Sequence, residues 1–132
     1  SKSLDNHIEL AATAEETQKR VMQMVTDPQR MRRSDPGRPE VCNVFSMHKI
    51  FSPAEEVAMI DIECRRAGIG CVDCKKRFAA NLNAHLEPFR ERRNELAKDM
   101  DAVQAVLDDG AARARAIAEQ TMIEVRAAVG LP

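Results

Sequence analysis

A chain of 132 residues, 44% hydrophobic and with a formal net charge of −1, has room for one domain with an ordinary core. With no Tyr or Trp and only four Phe, that core must be filled by Leu, Ile, Val, Met and Ala. No apolar run reaches the roughly 18–20 residues of a membrane span and no signal peptide opens the chain, so the expectation is a cytoplasmic protein with no membrane partner.

Residues 1–12 show no helical period and read as a loop. Starting at Ser1 without a methionine, the chain reads as a piece of a longer one. Thr13-Ala14-Glu15-Glu16 is a capping box, in which the Thr13 hydroxyl and the Glu16 carboxylate satisfy orphan amides at a helix start. Val21, Met22 and Val25 follow at helical spacing, and Asp27-Pro28 ends that helix near Thr26. An irregular linker with three prolines and one glycine leads to Pro39-Glu40, which open a helix carrying Cys42, Phe45 and Lys49 along one side.

Ser52-Pro53-Ala54-Glu55 reads as a second capping box, before a helix that presents Val57, Met59, Ile60 and Ile62 and stops near Gly68. Cys74 stands at the start of the longest helical stretch, whose stripe is Phe78, Leu82, His85, Leu86 and Phe89. Pro88 is predicted to kink or split it. A short helix from Met100 to Leu107 is predicted to end at Asp108-Asp109-Gly110. A last helix, about 111–128, puts Ala114, Ile117, Ala118, Met122 and Val125 on one face and is closed by Gly130. No segment alternates with period two. The predicted fold class is all-α, a bundle of six or seven helices.

Net charge hides an asymmetry. Residues 19–38 carry six basic side chains (Lys19, Arg20, Arg30, Arg32, Arg33, Arg38) against Asp27 and Asp35, a balance of +4. Residues 65–93 carry eight (Arg65, Arg66, Lys75, Lys76, Arg77, Arg90, Arg92, Arg93) against three acids, a balance of +5. Such clusters suit a polyanion, although charge alone describes a solvated helix face equally well.

The cysteines carry the chemistry. Cys42, Cys64, Cys71 and Cys74 are all the chain has, spaced C-x21-C-x6-C-x2-C. A C-x2-C pair without secretory features favours metal over disulfides. Four thiolates converging on one point suit either a cubane iron–sulfur cluster or tetrahedral zinc, and spacing leaves both open. His7, His48 and His85 offer no better ligand spacing and read as core or surface histidines. The basic side chains round the thiols (Arg65, Arg66, Lys75, Lys76 and Arg77) are the candidate RNA contacts. Without Tyr or Trp to stack bases, affinity would rest on charge and hydrogen bonds. No nucleophile or acid–base constellation forms a complete active site.

Several segments resemble a known family. Ser1-Lys2-Ser3-Leu4 resembles the end of the KMSKS signature of class I aminoacyl-tRNA synthetases with its usual following leucine. Asp35-Pro36-Gly37-Arg38-Pro39-Glu40-Val41-Cys42-Asn43-Val44-Phe45 resembles the segment after that loop in the bacterial tryptophan branch. Gly70-Cys71-Val72-Asp73-Cys74-Lys75-Lys76 is similar to the cysteine knuckle of those members whose C-terminal domain holds a four-iron, four-sulfur (4Fe-4S) cluster. The first cysteine gap is one residue shorter than that pattern.

The resemblance implies that residues 1–12 are the remnant of the KMSKS loop and a linker, and that 13–132 form a helical C-terminal domain reading the tRNA(Trp) anticodon. It implies Ser1, Lys2 and Ser3 as part of an ATP-phosphate loop, and Cys42, Cys64, Cys71 and Cys74 as ligands of the cluster, with Zn2+ the alternative. The full-length protein would then join tryptophan to tRNA with ATP as a homodimer. The piece alone would be catalytically inactive. The competing reading is a free-standing zinc or iron–sulfur nucleic-acid-binding module.

Overall fold

In the computed structural model, which describes residues 6–131, the regular structure is helical: five α-helices and one 3-10 turn, with no strand among the described residues. The predicted fold class is met in its helical character. The residues Ser1, Lys2 and Ser3 lie outside the described part. Packing divides the chain into two units, Ser1–Glu91 and Arg92–Pro132.

In the first unit, α1 (Ala14–Gln23) starts at the expected capping box. The Thr13 amide donates to Glu16 Oε2 at 2.8 Å, and the Glu16 amide donates to Thr13 Oγ1 at 3.2 Å. The bond from the Thr13 amide, and then one donated by the Thr13 hydroxyl at 2.9 Å, hold the Glu16 carboxyl below its ordinary pKa. A 3-10 turn (Pro39–Val41) precedes α2 (Asn43–Phe51). Cys42 is therefore not on a helix face, as the periodicity suggested, but at the extended N-cap of α2.

The second expected capping box does not form. α3 (Ala54–Arg65) is entered through Pro53 with no side-chain cap bond, because the Ser52 hydroxyl is engaged with His48 Nδ1 at 2.7 Å and Asn81 Nδ2 at 2.8 Å. α3 ends at Arg65, three residues before Gly68, with Ala67 in the left-handed conformation at φ 59°. Gly68 serves closeness instead: its amide donates to the Glu63 carbonyl at 2.7 Å, and a Cβ there would collide with the Glu63 carboxylate.

α4 (Cys71–Leu96) runs through Pro88 without being split. The core joins Val21, Val44, Phe45, Ile60, Phe78, Leu82 and Leu86. Phe78 and His48 are fully buried, with their rings 5.3 Å apart in a T-shaped arrangement. Phe89 and Ile62, expected on the buried stripes, are more than half exposed.

In the second unit, α5 (Met100–Val129) is one helix of 30 residues, capped by Asp99 and closed by Gly130 at φ 70°. The expected break at Asp108-Asp109-Gly110 is absent. Both aspartates are held inside the helix by partners four residues away, Gln104 to Asp108 at 2.8 Å and Arg113 to Asp109 at 3.0 Å. Nothing stands within 4 Å of a Cβ built on Gly110. Gly110→Ala is therefore expected to stabilise the chain by about 0.5–1 kcal/mol, read as a higher urea midpoint. A lower midpoint would mean that the helix needs a flexible point there.

Candidate metal centre and nucleic-acid face

Three helix ends deliver the four cysteines. Cys42 is the N-cap of α2, Cys64 lies in the last turn of α3, Cys71 is the first residue of α4, and Cys74 lies one turn on. Two of these ends are helix N-termini, whose partial positive charge favours anionic sulfur. All four thiols are free. Cys74 lies near enough to feel the charge of the other three, and Cys64 that of Cys42 and Cys71. Burial, then Cys42, Cys64 and Cys71, pushes the Cys74 thiol up to about 12, while Arg30 pulls it down. Cys64 is raised by burial first and pulled down by Arg30.

Arg30 lies against two of the four sulfurs. Its Nη1 lies 3.8 Å from both Cys64 Sγ and Cys71 Sγ. Its Nη2 donates to the Arg33 carbonyl at 2.9 Å and the Ile69 carbonyl at 2.8 Å. Around this guanidinium, no three His, Cys, Asp or Glu side chains among the described residues stand where they could together hold a metal ion. The chemistry of the donor set nevertheless fits the implied group: four unpaired soft thiols from three segments, two of them in contact with one guanidinium.

The loop that brings Arg30 inward is tied by Asp27, which is buried and accepts from the Gln29 amide, the Arg38 amide and the Arg38 guanidinium, the last at 2.7 Å. Gly37 lets this loop touch α3. Its amide donates to the Cys64 carbonyl at 2.9 Å, and a Cβ would collide with Cys64 Sγ. The Arg38 hydrogen bonds, followed by that of the Gln29 amide, hold the Asp27 carboxyl well below the usual carboxylate range. A carboxyl depressed in the folded state stabilises above its unfolded pKa, about 3.9, and that stability is lost as pH falls through the folded value. Asp27→Asn should therefore melt well below wild type at pH 7, with the gap closing in strong acid. A gap that is constant with pH would exclude this role.

His48 lies behind Cys74. Its Nε2 faces the Cys74 carbonyl at 3.2 Å and Sγ at 3.5 Å. A carbonyl only accepts, so Nε2 carries the proton and Nδ1 accepts from Ser52. Burial lowers its pKa, which keeps the ring neutral. As expected from the sequence, it is a core histidine. His85 is exposed, its ring edge-on to Phe51 and tilted against Phe89.

The candidate RNA contacts fare unevenly. Lys75 is half-buried and donates to the Met22 carbonyl at 2.9 Å, closing the end of α1. Arg65 pairs with Glu40 and Asp61, Arg66 with Glu63, and Arg77 with Glu56. Only Lys76 of the five is exposed with no such partner among the described residues. The structure adds Arg32 and Arg33, exposed on the Asp27 loop with no side-chain hydrogen bond or ion pair to a described residue. Arg33 Nε passes close over Gly70, 3.3 Å from where a Cβ would stand. The charge tally over 19–38 held that signal, but sequence distance from the cysteines concealed it. A cleft of about 360 Å³ lined by His7, Ile8, Glu16, Thr17 and Arg20 includes none of the cysteines.

The helical unit thus brings four free thiols near Arg32 and Arg33, which are exposed and have no ion pair to a described residue. The chain belongs to the class I tRNA synthetases of the tryptophan and tyrosine type, whose family model matches residues 1–87. Within that family it is 47% identical to the tryptophan–tRNA ligase of Aquifex aeolicus, covering 100% of this chain and 34% of the relative. It is 42% identical to that of Thermotoga maritima, covering 99% and 40%. The solved tryptophanyl-tRNA synthetase of Campylobacter jejuni, complexed with ADP and tryptophan, superposes with a TM-score of 0.82 at 30% identity, over 99% of this chain and 40% of that one. The chain thus spans well under half of these relatives' length. Among the described residues, no helix is long and apolar enough to cross a membrane.

Proposed function

We propose that this chain is the anticodon-recognition domain of a tryptophan–tRNA ligase, a class I enzyme that joins tryptophan to tRNA(Trp) with ATP, and that the piece alone is catalytically inactive. Family membership, together with identity to tryptophan–tRNA ligases along the whole chain, supports the enzyme. Supporting RNA recognition is the group of Arg32, Arg33 and Lys76, exposed and without side-chain partners among the described residues, near the cysteine segments. Phosphates of a single-stranded loop are held by such free cations, whereas arginines already paired to carboxylates must first give up a partner.

In this reading Cys42, Cys64, Cys71 and Cys74 hold a four-iron, four-sulfur cluster. When bound, the cluster supplies strong bonds that fasten α2, α3 and α4 to one centre. The protein's own contribution is orientation: Asp27 and Gly37 seat the arginine loop against α3, and His48 fixes the Cys74 turn. Zinc on the same thiols is the alternative that elemental analysis of anaerobically purified protein separates.

The test is titration of an anticodon stem-loop of tRNA(Trp) across a salt series. Arg32→Ala with Arg33→Ala should flatten the slope of log K against log salt by roughly 1.5–2, the share of two phosphate contacts. Lys75→Ala should leave the slope alone. A wild-type chain that does not bind the stem-loop even at low salt would overturn the reading.

A further inference from the structure

We infer that Arg30 is the positioning residue that carries the state of the sulfur site to the RNA-facing arginines, and this rests on the anticodon-domain reading above. One guanidinium spans both. Its Nη1 is shared between the sulfurs of Cys64 and Cys71, which come from different helices. Its Nη2 is shared between the Arg33 carbonyl on the arginine loop and the Ile69 carbonyl in the turn that leads into Cys71. The planar fork of arginine makes this four-way bridge possible, and a lysine point charge reaches one or two of the partners.

The position is enforced from both ends. Arg30 Nε is buried with no partner, a cost tolerated because the other nitrogens are placed. The Arg30 amide bonds the Asp27 carbonyl at 3.2 Å, and the Arg32 amide bonds Asp35 Oδ2 at 2.7 Å. The backbone between Asp27 and Asp35 therefore has little slack, and displacement of the Arg30 head moves Arg32 and Arg33 with it. Hydrogen bonds from a cation to cluster-ligating sulfurs also stabilise the more negative, reduced state, so the same contact raises the midpoint potential of a bound cluster.

The experiment reconstitutes wild type, Arg30→Met and Arg30→Lys with ferrous iron and sulfide under anaerobic conditions. For each it measures metal retention against a chelator, midpoint potential, and stem-loop binding across salt. Arg30→Met is expected to lose metal faster, to shift the potential more negative, and to weaken RNA binding about tenfold, the scale of one lost charged hydrogen-bonding group.

The decisive readout is the salt slope. Removing this one inward-facing cation should flatten the slope as much as removing both Arg32 and Arg33, because Arg30 acts through them. A slope that changes by one contact or less overturns the proposal, as does a variant with unaltered retention and potential. If Arg30→Met does not fold by circular dichroism, Arg30→Lys decides: partial recovery of potential without recovery of slope supports the bridge, and wild-type behaviour in every measurement overturns it. Should wild type bind no RNA, the anticodon reading fails by itself, while retention and potential still report on Arg30 at the sulfurs.

Discussion

Alanine at Phe78 is expected to cost about 3–5 kcal/mol of folding stability, the range for removing a fully buried aromatic side chain. The ring is 0% exposed and is the largest fully buried side chain among the described residues, meeting His48 edge-on and Phe51 at 6.4 Å. The surrounding helices cannot close the gap without moving α4, which also carries Cys71 and Cys74. His48 would lose its packing partner while still needing to reach the Cys74 carbonyl, so the sulfur site should loosen with the core. The paired control is Phe89→Ala. Phe89 belongs to the same sequence stripe but is 57% exposed, and its loss should cost less than about 1 kcal/mol. Urea unfolding of both, at unchanged m-value, provides the comparison; equal losses would mean that the core is centred elsewhere.

That contrast shows how far the residues were readable before the fold was known. Local signals were reliable where one side chain and its own backbone decide the outcome. The Thr13–Glu16 capping box and the left-handed Gly130 formed as expected. They failed where a distant partner competed. Ser52 has the spacing of a cap but serves His48 and Asn81, the latter 29 residues away. Asp108-Asp109-Gly110 has the composition of a stop, yet both aspartates found partners one turn off and the helix continued.

The cysteines stood out in the sequence because thiols are scarce and their spacing is restrictive; the structure adds that Cys74 lies near enough to the other three to feel their charge. Arg30 did not stand out, since nothing within the chain 34 residues before Cys64 announces that it turns inward among the sulfurs. The same holds for the candidate RNA contacts. Arg65, Arg66 and Arg77 look available in the sequence, but acids one turn away or on a neighbouring helix claim them. Periodicity could place charge near the site; only three-dimensional pairing could tell free charge from spent charge.

Serine at Cys64 is expected to abolish metal retention by anaerobically reconstituted protein, with loss of any visible absorption. Serine keeps the size of the side chain but replaces a soft, readily deprotonated sulfur by a hard hydroxyl that binds iron or zinc poorly. Cys64 is the most revealing of the four because it is the one thiol that α3 brings to the site. Its surroundings are built for sulfur, with Gly37 clearing room for Sγ and Arg30 donating to it. Wild type loaded with metal should melt at higher temperature than wild type stripped by chelator, since a ligand bound only by the folded state adds to its stability. Cys64→Ser should melt at one temperature with or without chelator, near that of stripped wild type. A Cys64→Ser protein that keeps stoichiometric metal would remove Cys64 from the ligand set, and with it the argument that one inorganic centre fastens three separate helices.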